Sequence, residues 1–139
     1  MDTATFKRIL GNIEEGVKAN FLRDGRIEQV ILGWDGNTKM SSFGGLPSER
    51  GRLDFILTAL KAVFKRLGVV GYIHIIEAKI KSGEGDEIAD IIAVAGVTAG
   101  FREIRSYRIL RRPYPTPPDL VKAPECADFG VSFLNLLGD

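Results

Sequence analysis

The 139-residue chain holds one cysteine, Cys126, and one histidine, His74. A single thiol excludes an internal disulfide and fits a reducing compartment. One histidine and one distant cysteine offer none of the paired ligand spacings that structural zinc requires. Charge of either sign is not in excess: 19 Lys and Arg stand against 18 Asp and Glu, for a net +1. No global field therefore draws nucleic acid or an anionic membrane, and any basic surface has to be local. No apolar run approaches the ~18 residues of a membrane span, and the opening MDTATFKRILGNIEEG lacks the apolar core and small-residue cleavage site of a secretory signal. The expectation is a soluble, cytoplasmic protein.

What the chain does have is apolar residues, 45% of the total, enough for one core. A domain of this size buries roughly two-thirds of its unfolded surface without staples. Phe6, Ile9, Leu10, Ile13, Val17 and Phe21 recur every three or four residues, predicting an amphipathic helix that Asp24-Gly25 ends. Arg26 to Trp34 is β-rich, Asp35-Gly36-Asn37 signals a hairpin turn, and Thr38 to Ser42 offers a return strand. A second helix follows the Pro47-Ser48 cap, with Leu53, Ile56, Leu57, Leu60, Val63, Phe64 and Leu67 as its stripe and Gly68 as its C-terminal stop.

From Gly68 to Arg112, three apolar runs are broken by two polar, Gly-containing stretches, one at Gly83 to Asp86 and one at Gly96 to Gly100. That pattern predicts a three-stranded meander. Tyr72, His74, Ile76, Ala78 and Ile80 share one face of its first strand, while Ile73 and Ile75 make the other face apolar too, so the sheet is covered on both sides. The predicted fold is α+β: a five-stranded antiparallel sheet, hairpin plus meander, with two long helices in the order α-β-β-α-β-β-β. Residues 1–112 form that domain. Residues 113–124 read as a proline-rich linker, with four prolines between 113 and 118 carrying the chain off the sheet. Residues 125–139 form an apolar docking segment in which Phe129, Val131, Phe133, Leu134 and Leu137 are the candidate interface, favoured to dock on a second copy and so build a homodimer.

The element order resembles the profilin-like sheet of roadblock and longin domains, a likeness of topology that implies a non-catalytic protein. Between about Phe21 and Arg112 the run Gly71 to Ala78, the acidic turn with Asp86-Glu87, the strand Ile91 to Thr98 and Tyr107-Arg108-Ile109-Leu110-Arg111 are similar to a group of small uncharacterised bacterial and phage-associated α+β proteins. The turn here carries extra glycines. That resemblance implies the fold and says nothing of function.

Chemistry-bearing groups are sparse. His74 and Glu77 lie three apart on a strand and so point to opposite faces, unable to act as base and orienter; His74 reads as a hydrogen-bonded core residue. Glu84, Asp86, Glu87 and Asp90 lack the register of a calcium loop. Asp128-Phe129-Gly130 stands without any other kinase motif, and Pro115 to Pro118 matches only a minimal P-x-x-P ligand. No catalytic group, cofactor or metal site is expected. Two clusters could bind anions: Arg50 and Arg52, opening the second helix after Phe43-Gly44-Gly45, and Arg102, Arg105, Arg108, Arg111 and Arg112, interleaved with Phe101, Tyr107 and Tyr114. The five fall on both strand faces, and Glu77, Glu84 and Glu103 are placed to neutralise several. The leading expectation is a non-enzymatic protein-interaction module of unknown partner. The alternative is nucleic-acid or anion binding by residues 102–112.

Overall fold

The computed structural model describes residues 3–44, 50–81, 88–113, 115–122 and 136–137. Among these residues two helices, α1 (Thr3–Asp24) and α2 (Arg50–Leu67), accompany six strands: β1 (Val30–Trp34), β2 (Met40–Gly44), β3 (Gly71–Lys81), β4 (Ile88–Thr98), β5 (Phe101–Leu110) and β6 (Asp119–Lys122). All strands pair antiparallel in one sheet of order β2-β1-β3-β4-β5-β6. The α+β class, the two helices and the antiparallel sheet match the sequence expectation; the strand count does not.

The sixth strand lies within the stretch read as a linker. After β5 the chain turns, with Thr116 N donating to the Pro113 carbonyl at 3.0 Å. It then comes back to pair Asp119–Lys122 with Leu110–Tyr107. The prolines forbid ladder bonds only as far as Pro118; Leu120 and Val121 resume alternation immediately after, and Leu120 packs against the core on the α1 side. Asp119 and Lys122 at the ends of so short an edge strand blunt it against further pairing.

Local chemistry sets the other boundaries. Gly25 (φ 76°) stops α1, its N–H bonding the Phe21 carbonyl at 2.7 Å. Gly68 (φ 68°) stops α2 with a paired closure, Gly68 N to Lys65 O and Val69 N to Phe64 O, the pattern that satisfies the last carbonyls of a helix. In the β1–β2 turn, Asp35 Oδ1 accepts from the backbone N–H of Asn37 and Lys39. The first strand is shorter than predicted, since residues 26–29 make no ladder.

Side chains alternate along the strands and fill two cores. On one face Phe6, Leu10, Val17 and Phe21 of α1 pack on Trp34, Ile73, Ile75, Ile92, Val94 and Ile109. On the other, Leu60 and Phe64 of α2 meet Ile31, Tyr72 and Val97, and Leu136 joins them from the C-terminal end. Gly96, expected in a turn, lies inside β4 because α1 needs the room: a β-carbon at Gly96 would come within 3.0 Å of Leu10 Cδ2, and one at Gly71 within 2.9 Å of the Phe6 ring. Phe6 thus sits between Trp34 and Phe101, with centroids 5.7 and 5.8 Å away.

Candidate functional site

β5 carries most of the arginines, and its alternation sends them to different surroundings. Arg105 points toward α1, where Nη1 donates to Glu14 Oε1 at 2.8 Å and Nη2 to Glu103 Oε2 at 3.1 Å. Tyr107, two residues on and on the same face, donates its hydroxyl to Glu14 Oε2. Glu14 is only 7% exposed. Burial raises its carboxyl pKa, but the hydrogen bonds from Tyr107 and Arg105, with the charges of Arg105 and Lys18, outweigh that and hold it below the usual carboxylate value. The same burial and the same bond push the Tyr107 phenol far above its ordinary range, so it is a fixed donor to a fixed anion. Lys18 lies over the Tyr107 ring, 5.0 Å from its centroid. This cluster fastens helix to sheet.

The outer end of β5 is neutralised as well. Arg111 Nε donates to Asp90 Oδ2 at 3.2 Å and its Nη2 lies 3.8 Å from Glu77 Oε2, while Arg112 Nη2 is 3.7 Å from Asp119 Oδ2. On the opposite face Arg102 is exposed beside Tyr72, and Arg108 is half-buried with its Nε lacking a hydrogen-bond partner. Arg52 is exposed on α2, and the Arg50 side chain lies outside the described residues. Among the described residues Arg105, Arg111 and Arg112 are therefore matched to carboxylates. Of the acids expected to neutralise them, Glu77 and Glu103 do so, Glu84 lies outside the described residues, and Glu14, Asp90 and Asp119 were not anticipated. Glu14 was detectable: it occupies the stripe position between Leu10 and Val17, where a charged residue needs a buried partner.

His74 faces the α2 side and is buried, and Gln29 Nε2 donates to its Nε2 at 2.8 Å. Burial lowers its pKa to about 4, which keeps the imidazole neutral near pH 7 with its proton on Nδ1. Ser106 is buried on the same face with an unpartnered hydroxyl. The register runs His74 to Ala95 to Ile104, so Ser106 sits two strands across and two residues along, about 10 Å away sideways. The histidine meanwhile spends its acceptor on Gln29 from the β1 side, so no nucleophile and base come together here. Among the described residues no group of three His, Cys, Asp or Glu gathers to hold a metal.

The surface that departs most from a passive exterior is the outer side of α2. At 100° per residue Phe55, Ala59, Ala62 and Arg66 fall within about 60° of one another, turned away from Leu60 and Phe64. Phe55 is 78% exposed, and Val63 and Leu67, at 37% and 47%, widen the apolar band along one side. Lys61 and Lys65 border the other. The sequence reading missed this face because Phe55 stands outside the stripe that seats the helix. Of the C-terminal candidates, Phe129, Val131, Phe133 and Leu134 lie outside the described residues. Leu137 is half-buried against the α2-side core, and Leu136 is buried in it, with its backbone bonded to the Tyr72 hydroxyl. These two leucines close a shallow hollow of about 210 Å³ with Phe64, Lys65, Val69, Val70 and Ala99.

No helix among the described residues is long and apolar enough to cross a membrane. A scan against models of known protein families, a search of curated proteins and a search of solved structures each find no match.

Proposed function

We propose that the chain is a non-enzymatic protein-interaction module whose contact surface is the outer face of α2. The observation that carries this reading is Phe55, a phenylalanine 78% exposed on α2. Burying such a side chain is worth roughly 1.5–3 kcal/mol, and the fold leaves that gain unclaimed. Aromatic residues in such positions are the commonest anchors of interfaces. The likeness in element order to roadblock and longin domains supports a sheet-and-helix scaffold without catalysis, and the likeness of the strand sequences to small bacterial and phage-associated proteins supports the fold alone. The pairing of Arg105, Arg111 and Arg112 with carboxylates favours this reading over nucleic-acid binding, since phosphates would have to displace partners already in place. The packing of Leu136 and Leu137 on their own domain likewise favours docking of the C-terminal end in cis over exchange with a second copy. The reducing setting suggested by the lone thiol points to the cytoplasm.

Quantitative affinity capture from the native host with the unaltered chain and with Phe55→Ser tests the reading. Proteins lost with Phe55→Ser but retained with a remote surface control such as Lys39→Ser are expected. Identical capture by all three, or sub-micromolar binding of DNA or RNA that falls steeply with salt and is lost with Arg102→Glu plus Arg108→Glu, would overturn it.

A further inference from the structure

Resting on the interaction reading, we infer the chemistry of the partner: the outer face of α2 takes an acidic amphipathic helix. Lys61, Lys65 and Arg66 set positive charge beside the apolar surface of this face. α2 carries Arg50, Arg52, Lys61, Lys65 and Arg66 against one acidic residue, Asp54. Lys61, Lys65 and Arg66 make no ion pair among the described residues, whereas Arg105, Arg111 and Arg112 on β5 are each met by a carboxylate. The chain as a whole carries only +1, so this basic flank is a local feature of one helix.

Shape narrows the choice further. Ala59 and Ala62 lie between Phe55 and Arg66, forming a low notch on which another helix can approach at the 8–10 Å axial separation of close-packed pairs. A partner with leucine-like residues at i, i+3, i+4 and i+7 fills that notch beside Phe55 and turns its acidic flanks to Lys61, Lys65 and Arg66. A second copy of the chain fits poorly. Laid antiparallel across Ala59 it would set Arg66 against its twin's Arg52, and laid parallel it would set each cation against itself, so like charges meet in both cases. A lipid surface fits poorly as well, because insertion uses bulky projecting residues and two of the four positions facing out here are alanine.

Fluorescence anisotropy with a labelled peptide bearing Leu at i, i+3, i+4 and i+7 and Glu elsewhere, beside the same peptide with Lys for Glu, provides the test. Saturable binding of the Glu peptide is expected, weakening as salt rises, with no binding of the Lys peptide. Affinity should fall at least about tenfold (about 1.4 kcal/mol) with Phe55→Ser, and again with Lys61→Glu plus Lys65→Glu plus Arg66→Glu. Far-ultraviolet circular dichroism verifies that these surface variants keep the fold. Equal binding of the two peptides, or Glu-peptide binding indifferent to Phe55→Ser, overturns the inference. So does a Phe55-dependent dimer by light scattering, or Phe55-dependent binding to phosphatidylserine vesicles, when the Glu peptide does not bind. The dimer result would leave the interaction reading standing while removing the acidic helix; the vesicle result would remove both.

Discussion

The two helices lie on opposite faces of one sheet and are seated very differently. α1 buries Phe6, Leu10, Val17 and Phe21 along its length and adds a charged fastening at Glu14. Among its described side chains α2 buries only Leu60 and Phe64, and leaves Phe55, Val63 and Leu67 in water. One helix is committed to the fold by both packing and polar bonds, while the other is held by Leu60 and Phe64 with Ile56 and Leu57 half-buried beside them. A helix so held can present its remaining surface without destabilising the domain, and for that reason the functional reading rests on α2 and the stability of the domain on α1.

The largest effect should come from the helix that is fully seated. Phe6→Ala removes the ring wedged over Gly71 and Gly96 and between Trp34 and Phe101, and is expected to cost about 3–5 kcal/mol in urea unfolding. Leu60→Ala on α2 is expected to cost about 2–5 kcal/mol, at or below the Phe6 value. A loss under about 1 kcal/mol for either would show that the helix does not depend on that contact, and Leu60→Ala exceeding Phe6→Ala would reverse the ranking of the helices.

Next comes the polar fastening. Tyr107→Phe removes one donor from a buried carboxylate that keeps Arg105, so a loss of about 1.5–3 kcal/mol is expected, as for hydrogen bonds to charged groups. Stability unchanged by Tyr107→Phe would mean that Arg105 alone satisfies Glu14. The acid limb of stability then separates the two faces. His74, on the α2 face, has a pKa lowered from 6.5 to about 4, so its contribution is whole above pH 6.5 and drains away between pH 6.5 and 4 as the unfolded chain takes up the proton first. The slope is at most about 1.4 kcal/mol per pH unit. Glu14, on the α1 face, is also lowered, so its contribution is whole above 4.5 and is lost only at lower pH. His74→Gln is expected to fold and to flatten the curve between pH 7 and 5 while leaving the loss below pH 4 in place. Urea midpoints at pH 7, 6 and 5 that shift equally in both proteins would contradict this assignment.

Much of this architecture was legible because it rests on local rules. The 3.6-residue stripe from Phe6 to Phe21, the stop at Gly68 and the apolar character of both faces of β3 each follow from residue spacing, and each is found where the spacing placed it. β6 was not legible, because the prolines before it spoke for an extended linker and only four residues after Pro118 signal a strand, too few without knowledge that the edge of β5 lies open beside them. The fate of the arginines was half legible. Alternation placed them on two faces and named Glu77 and Glu103, but the match of Arg105 to Glu14 joins residues 91 apart and depends on which face α1 covers. Phe55 was passed over for the opposite reason: pattern reading collects the residues that make a stripe, and a lone aromatic off the stripe matters only once the helix is known to be docked by its other side.

The smallest expected change is therefore the most telling one. Phe55→Ser replaces a ring that is 78% exposed and absent from both cores, so unfolding free energy should shift by no more than about 0.5 kcal/mol, the range of surface substitutions that touch no special feature. Serine is a slightly poorer helix former than most residues, which sets the expected sign as a loss of a few tenths. If Phe55 instead packs against the body of the protein in solution, the same substitution would cost as much as a core deletion and the outer face of α2 would be interior. A loss above about 2 kcal/mol would thus erase the difference between the two helices, whereas a neutral result leaves a large apolar side chain that the fold does not use and that only a partner can bury.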